Sequence, residues 1–143
     1  MQTFLPVPDF EASARSLDRS RLGKQRVEAW QILGALTEPG KGWSNHPATK
    51  MWRGYEAALC LYGIAVCEEW ISRGYRDTML ERFRSAYERL WSPDSEYPPW
   101  LGYEAFHASH RGNLVRKDPS FYGPFWPDAD PEAEYVWPGE EEK

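Results

Sequence analysis

The stretch LDRSRLGKQRVEAWQILGAL, residues 17–36, carries a helical pattern that indicates the class of the fold. Leu22, Ala29 and Leu33 recur at the spacing of one helix face and can be buried together. An Asp near the start of the stretch is a suitable N-cap, and the Pro and Gly residues that follow it end the pattern. We therefore expect a helix over residues 19–36.

Four further helices are predicted around this one, and no stretch alternates apolar and polar residues in the manner of a strand. These helices cover residues 10–17, 45–74, 77–90 and 102–117. The helix over residues 45–74 is apolar on most sides in its second half, so we expect it at the centre of the core. The sequence thus predicts an all-α fold, a compact single-domain helical bundle.

Length and composition fit one domain with its own core. The chain has 143 residues, of which 41% are hydrophobic, and a chain of this length buries enough surface to fold without disulfides or a structural metal. Its cysteines, Cys60 and Cys67, are predicted to be small buried residues on one helix face. Because no apolar run is long enough to span a bilayer and no signal peptide is recognisable, we expect a cytoplasmic protein.

The C-terminal end differs from the rest of the chain in composition. Residues 121–143 form an arm rich in Pro and aromatic residues, which we expect to pack on the body as far as about Pro138. Residues 128–143 hold seven of the 22 acids, and without them 15 acids and 16 bases leave a net charge of +1 instead of −5. We therefore divide the chain into a helical domain, residues 1–127, and an acidic C-terminal tail, residues 128–143.

The cations of this domain are concentrated at the start of the long helix. Over residues 15–26 five cations accompany one acid, a charge of +4 in twelve residues. Such a stripe on a near-neutral body can bind phosphates, although a solvated helix face has the same composition. The candidate DNA-binding residues are Arg15, Arg19, Arg21, Gln25 and Arg26, together with Arg111 and Lys117 near the last helix end.

One face of the same helix combines side chains that can support chemistry. Arg21, Lys24, Gln25 and Glu28 lie at positions i, i+3, i+4 and i+7. Cations neutralise phosphates, an amide can pair with a base edge, and a carboxylate can move a proton or stabilise a positive charge. Glu28 and Lys24 are therefore the candidate catalytic residues, and an exposed ion pair between them is the alternative.

A second group of polar and aromatic residues forms a candidate base pocket. Its members are Trp43, Asn45, His46, His107, His110, Asn113 and Tyr122. The Asn-His pair can equally cap a helix, and the two later histidines can be hydrogen-bonded packing residues. A three-histidine metal site is a further alternative, but the chain has no HExxH motif and no Cys pair with ligand spacing, so we predict no metal and no cofactor.

Residues 17–28 resemble the N-terminal helix of the pyrimidine-dimer DNA glycosylase family, the phage-type endonuclease V group, and most closely a bacterial branch of it. The matching residues are Leu17, Arg21, Leu22 and Glu28, the last of which stands at the position of the family's catalytic Glu. Two weaker similarities lie further on. Ser72-Arg73-Gly74-Tyr75 resembles the end of the family's central helix, and Pro119-Ser120-Phe121-Tyr122 resembles its segment near the damaged base.

The resemblance implies a monomeric enzyme that kinks double-stranded DNA of the nucleoid, flips out a damaged or modified pyrimidine and cuts its N-glycosidic bond, with AP-lyase activity as an option. It also implies that the α-amine of the second encoded residue is the nucleophile and that Glu28 assists at the sugar. Here Gln2 is bulky for removal of Met1, and five extra residues precede the aligned start. Three nucleophiles therefore stay open: the terminal amine, Lys24, and water activated by Glu28.

Two other function classes fit the same residues. A non-enzymatic DNA-binding protein on the same scaffold would bind DNA in a salt-dependent way and release no base. A nucleoside-binding protein would use the aromatic residues, 15% of the chain, and would tolerate the acidic net charge. Base release from DNA separates both alternatives from the glycosylase.

Overall fold

The structure, a computed structural model, describes residues 1–38, 40, 42 and 44–138. Within them the chain forms seven α-helices and no strand, which confirms the all-α prediction. The helices are α1 Phe10–Ser16, α2 Arg19–Thr37, α3 Pro47–Lys50, α4 Glu56–Ser72, α5 Leu80–Leu90, α6 Glu104–Lys117 and α7 Pro119–Tyr122. None of these helices is long and apolar enough to cross a membrane.

The first long helix, α2, follows the sequence pattern closely. It begins after Asp18, whose carboxylate accepts a hydrogen bond from the backbone N–H of Arg21. The predicted apolar stripe of Leu22, Ala29 and Leu33 is buried against the core. As a result, the opposite polar face of α2 is free to line a site.

The long helix predicted over residues 45–74 is two helices, α3 and α4, separated by a turn. Gly54 has a φ of +91°, in the left-handed region, so a continuous helix cannot pass through it. α4 is the central helix of the bundle, as expected, and it packs against α1, α2 and α5. Its contact with α5 is close, because a Cβ added to Gly63 would lie 2.3 Å from the Phe83 ring.

The remaining helix boundaries differ by a few residues from the predicted ones. α5 begins at Leu80 because the Asp77 carboxylate accepts hydrogen bonds from the N–H groups of Met79 and Leu80. α6 begins two residues later than predicted, after Gly102 with its φ of +99°. The short helix α7 was not predicted; it begins just before the arm and ends in the arm's first two residues.

The two cysteines are buried and unpaired, as the sequence predicted. Burial raises the pKa of the Cys60 thiol to about 12, and burial likewise raises the pKa of Cys67. Both thiols therefore stay protonated and act as small core residues.

The C-terminal arm packs across α6. The side-chain amide of Asn113 donates to the carbonyl of Ala133 over 3.0 Å, and the N–H of Val136 donates to Ser109 Oγ over 3.1 Å. The predicted packing of the arm is confirmed for Tyr135, whose ring meets the His110 ring with the centroids 5.5 Å apart. Phe125, by contrast, is 62% exposed.

Candidate active site

The candidate site is formed around the start of the chain, where residues 1–7 have no regular secondary structure and yet are largely buried. Thr3 and Leu5 are fully buried, and Gln2 is 5% exposed. A buried backbone needs hydrogen-bond partners, and no neighbouring strand supplies them within the described residues. Side chains of α2, α4 and α6 supply them instead.

Gln25 of α2 is the partner on one side of this segment. Its Oε1 accepts hydrogen bonds from the N–H of Phe4, over 2.9 Å, and from the hydroxyl of Tyr62, over 2.6 Å. Its Nε2 donates to the carbonyl of Gln2 over 2.9 Å and to Glu28 Oε2 over 3.1 Å. Burial, with the nearby charge of Glu28, raises the pKa of Tyr62 well above its ordinary value, so the hydroxyl keeps its proton.

Two histidines of α6 are the partners on the other side. His110 Nδ1 accepts from the N–H of Leu5 over 2.9 Å, and His107 Nδ1 lies 2.7 Å from the carbonyl of the same residue. His107 Nε2 accepts from the N–H of Gly102 over 2.9 Å. Together these bonds require neutral rings, with the proton on Nε2 of His110 and on Nδ1 of His107. Burial agrees with this, since it lowers the pKa of His110 to about 3 and also lowers that of His107.

These contacts bring the chain start to Glu28. The backbone nitrogen of Gln2 donates to Glu28 Oε2 over 3.3 Å. The five extra residues therefore do not carry the chain start away from Glu28, because the segment packs back into the bundle and Gln2 lies beside this carboxylate.

Glu28 and the chain start share a hollow of about 310 Å³. Its lining residues are Met1, Gln2, Phe4, Arg21, Lys24, Gln25, Glu28, Lys117 and Tyr135. Three of them are cations, and Glu28 is the acid among them. The hollow therefore suits an occupant that carries phosphate groups and meets a carboxylate at one point.

Arg21 is oriented in this hollow by Asp18, whose carboxylate lies 3.1 Å from the guanidinium. The Tyr122 hydroxyl makes a short hydrogen bond to the same carboxylate. Burial alone would raise the pKa of Asp18, but the hydrogen bonds from Tyr122 and Arg21 outweigh it and lower the pKa below the ordinary value. The acid therefore stays ionised next to Arg21.

Five of the candidate residues from the sequence line this hollow: Arg21, Lys24, Gln25, Glu28 and Lys117. Their roles in catalysis and DNA binding stay predictions. For Gln25 the predicted contact with a base edge conflicts with the geometry, since its side chain is 1% exposed and both ends of its amide bind the protein. Arg15 and Arg19 lie outside the hollow on exposed positions.

Four of the candidate base-pocket residues are buried elsewhere, namely His107, His110, Asn113 and Tyr122. The two histidines bind the chain start, Asn113 binds the arm, and Tyr122 binds Asp18. None of the four lines the hollow. Three of these polar side chains bind irregular backbone and Tyr122 binds a helix cap, and no local sequence pattern indicates such contacts.

Two candidate DNA-binding arginines are engaged within the protein. Arg26 pairs with Asp77 at 2.5 Å and lies over the Trp70 ring, 4.5 Å from its centroid. Arg111 donates to the carbonyl of Pro6 over 2.8 Å and pairs with Glu104 at 2.6 Å. Both are therefore oriented toward structural partners and away from the hollow.

The remaining candidates are Trp43, Asn45 and His46, and the last two come just before α3. Trp43 is outside the described residues. Asn45 is exposed, and His46 caps α3 through Nδ1, which accepts from the N–H of Ala48 over 3.0 Å. Neither Asn45 nor His46 lines the hollow at Glu28.

Sequence reasoning did not place Met1, Phe4 and Tyr135 at the hollow or Tyr62 beside Gln25. It considered Gln2 only through its backbone nitrogen, and Tyr62 resembled any core aromatic. Tyr135 lines the hollow because the arm folds back along the body, which no local sequence pattern indicates.

A larger hollow of about 570 Å³ lies between α1 and α4 and does not adjoin Glu28. Its charged lining residues are Asp9, Glu11 and Glu68. Because three carboxylates repel phosphates, this hollow is unsuited to DNA in spite of its size.

Comparison with known proteins gives one match. A sequence model of the family described as pyrimidine dimer DNA glycosylase matches residues 1–82, more than half of the chain. The match includes the chain start, Gln25 and Glu28, and it ends before α6 and the arm. Searches of the curated proteins and of the solved structures found no match.

Proposed function

Because the chain belongs to the pyrimidine dimer DNA glycosylase family, we propose that it removes a damaged or modified pyrimidine from double-stranded DNA by cleaving the N-glycosidic bond. One observation carries the proposal: the nitrogen of residue 2 lies 3.3 Å from the Glu28 carboxylate, in a hollow that also contains three cations. DNA in the cytoplasm is the proposed substrate, and a monomer is the proposed active form.

The terminal amine is the proposed nucleophile. Removal of Met1 would turn the nitrogen of Gln2, now a peptide nitrogen, into a primary amine beside Glu28. Its lone pair attacks C1′ of the flipped nucleotide, the C1′–N1 bond breaks, and the base leaves with the electron pair and takes up a proton. Glu28 accepts the proton that the amine loses.

The covalent intermediate then forms by opening of the sugar. The C1′–O4′ bond breaks, O4′ takes up a proton, and the remaining C1′–N bond becomes an imine. Water hydrolyses the imine and restores the amine, which leaves an abasic site. If a proton is first removed from C2′, the 3′-phosphate leaves as well, and the enzyme acts as a lyase.

The cations of the hollow have a role that follows from base flipping. Extruding a nucleotide costs a few kcal/mol, less for a damaged base, and contacts to the flanking phosphates compensate for this cost. Lys24 and Lys117 are exposed at the hollow and can bind phosphates on two sides of one nucleotide. Arg19 lies with Lys24 on a neighbouring hollow, and Arg15 is exposed in the last turn of α1.

The test is borohydride trapping on oligonucleotides that each carry a single lesion. We expect a covalent adduct that mass spectrometry locates on the terminal residue, because this nitrogen lies beside Glu28. The intact mass of the purified chain shows in the same experiment whether Met1 is present. An adduct on Lys24 would contradict the terminal-amine route, and base release without any adduct would indicate activated water.

A specific observation favours one alternative function. If Met1 is retained, the nitrogen of Gln2 is an amide, which lacks a nucleophilic lone pair, and Gln2 is bulky for removal of Met1. If neither Lys24 nor water replaces the amine, the chain would then be a DNA-binding protein on the same scaffold. DNA binding without base release from every lesion, in a chain whose mass includes Met1, would support this alternative, and binding of free nucleoside without DNA binding would contradict both.

A further inference from the structure

Gln25 contacts both partners of the proposed reaction centre. Its Nε2 donates to the carbonyl of Gln2, the residue whose nitrogen is the proposed nucleophile, and to the carboxylate of Glu28, over 2.9 and 3.1 Å. Its Oε1 binds the N–H of Phe4, two residues further on. One amide thus connects the chain start with the acid.

The orientation of this amide is determined by its surroundings. The N–H of Phe4 requires an acceptor, whereas the carbonyl of Gln2 and the carboxylate of Glu28 require a donor. Exchanging Oε1 and Nε2 would place a donor against the N–H of Phe4 and an acceptor against the two oxygens. The amide therefore has one favourable orientation.

The position of Gln25 relative to Glu28 is determined by the helix that carries both residues. Gln25 and Glu28 lie three residues apart on α2 and share one face of the helix. Gln25 is 1% exposed, so its side chain has little freedom to move away. A rigid helix thus holds both the acid and the group that binds the chain start.

We propose that Gln25 is the positioning residue of this site, which sets the distance between the nitrogen of residue 2 and the carboxylate of Glu28. The inference rests on the proposed function and deepens it. His110 supports the same position from the opposite side, because its Nδ1 accepts from the N–H of Leu5. Gln25 itself does not contact the substrate in this scheme.

The test compares substitutions at two glutamines of α2. Gln25→Met removes all four hydrogen bonds at similar volume, and Gln25→Glu keeps the acceptors for Phe4 and Tyr62 while it removes the donor. Gln31→Met and Gln31→Glu are the matched controls, since Gln31 is exposed on the same helix. Single-turnover base release, affinity for the lesion-containing duplex, and hydrogen exchange of residues 1–7 and of α4 are measured on each chain.

We expect both Gln25 variants to release base on the order of 100-fold more slowly, the effect of a misplaced reacting group. For Gln25→Met the affinity for DNA stays within roughly twofold, hydrogen exchange in residues 1–7 becomes faster, and α4 keeps its protection. The Gln31 controls behave as the unchanged chain. Base release at the unchanged rate in Gln25→Met, or parallel losses of DNA affinity and α4 protection, would overturn the inference.

A second pair of variants covers the case in which Gln25→Met does not fold. His110→Phe removes the acceptor for the N–H of Leu5, whereas His110→Asn can place Oδ1 where Nδ1 now lies. We expect His110→Phe to slow base release and His110→Asn to restore most of the rate. Equal rates in the two variants would count against positioning through this segment.

The outcomes separate the inference from the proposed function. An unchanged chain that releases no base from any lesion contradicts the proposed function, whatever the variants do. An active chain whose Gln25 variants are equally active contradicts the inference alone. Hydrogen exchange of residues 1–7 reports on the positioning without reference to activity.

Discussion

Residues 1–7 at the chain start and residues 123–138 of the arm both lack regular secondary structure, and both pack against α6. In the first, Thr3 and Leu5 are fully buried, and the surrounding helices bind the backbone through buried side chains. In the arm, few backbone groups bind α6, and aromatic rings provide much of the contact. Two segments without secondary structure are thus held differently: the first by buried side chains that bind its backbone, the arm largely by ring contacts.

The difference explains why so many polar side chains lie in the core. An unsatisfied buried backbone group costs about 1–3 kcal/mol, so a chain buried without a neighbouring strand needs a side-chain partner for each group. Gln25, His107 and His110 are these partners. In a sequence these three residues resemble catalytic residues. In the fold they hold residues 1–7 in position.

The largest expected effect separates the two segments by their contribution to the rate of base release. Glu28→Gln removes the carboxylate that binds the nitrogen of residue 2, and we expect base release to fall on the order of 10²–10⁴-fold, the range for a lost acid or base. Tyr135→Phe changes the lining contributed by the arm and should alter the rate far less. Single-turnover kinetics on one lesion measure both, and a larger effect of the Tyr135 change would reverse the comparison.

The second prediction concerns the stability of the first segment at low pH. The folded pKa of His110 is about 3, below its ordinary value of 6.5, so the unfolded chain takes up the proton first as the pH falls. Between pH 7 and pH 5 the free energy of unfolding should therefore decrease by about 2 kcal/mol through this residue. Burial also lowers the pKa of His107, so this residue decreases the free energy of unfolding in the same direction as the pH falls.

Urea unfolding at the two pH values measures this effect in the unchanged chain and in His110→Asn, which cannot take up the proton. We expect the variant to lose most of the 2 kcal/mol dependence. His46→Asn is the matched control beside the arm, because the ring of His46 meets that of Trp137. An equal pH dependence in His110→Asn and the unchanged chain would contradict the neutral, buried state of His110.

The smallest prediction compares the loss of one side-chain hydroxyl beside each segment. Tyr62→Phe removes a fully buried hydroxyl that contacts the carbonyl of Phe4, over 2.9 Å, and Gln25 Oε1, and should cost about 1–2 kcal/mol. Ser109→Ala removes the acceptor for the N–H of Val136 in the arm and should cost less than about 1 kcal/mol, since water can replace it. Urea unfolding of both variants measures the difference, and the reverse order would mean that the arm is the better held segment.

Much of the fold could be predicted from the sequence, because α2 and α4 carry their apolar faces in their own periodicity. The break between α3 and α4 could not, since it depends on the conformation of Gly54, and a single glycine inside an apolar pattern is compatible with a helix. In the site, the spacing along α2 predicted that Arg21, Lys24 and Glu28 lie on one face, and the three residues line one hollow.

The rest of the site could not be predicted, because it depends on contacts across the whole chain. The hydrogen bond between Leu5 and His110 spans 105 residues, and no local pattern indicates it. Residues of this kind are recognisable from a sequence only as polar side chains on otherwise apolar helix faces. His107, His110 and Gln25 share this signature with the residues of a true pocket.

The location of Met1 has a practical consequence for anyone who makes this protein. Met1 lines the hollow beside Glu28, so residues joined ahead of it by cloning would have to leave through the same opening. A purification tag or fusion partner at that end would compete with DNA for the space, and a chain prepared in this way would look inactive. Recombinant material for the assays should therefore be tagged behind Lys143.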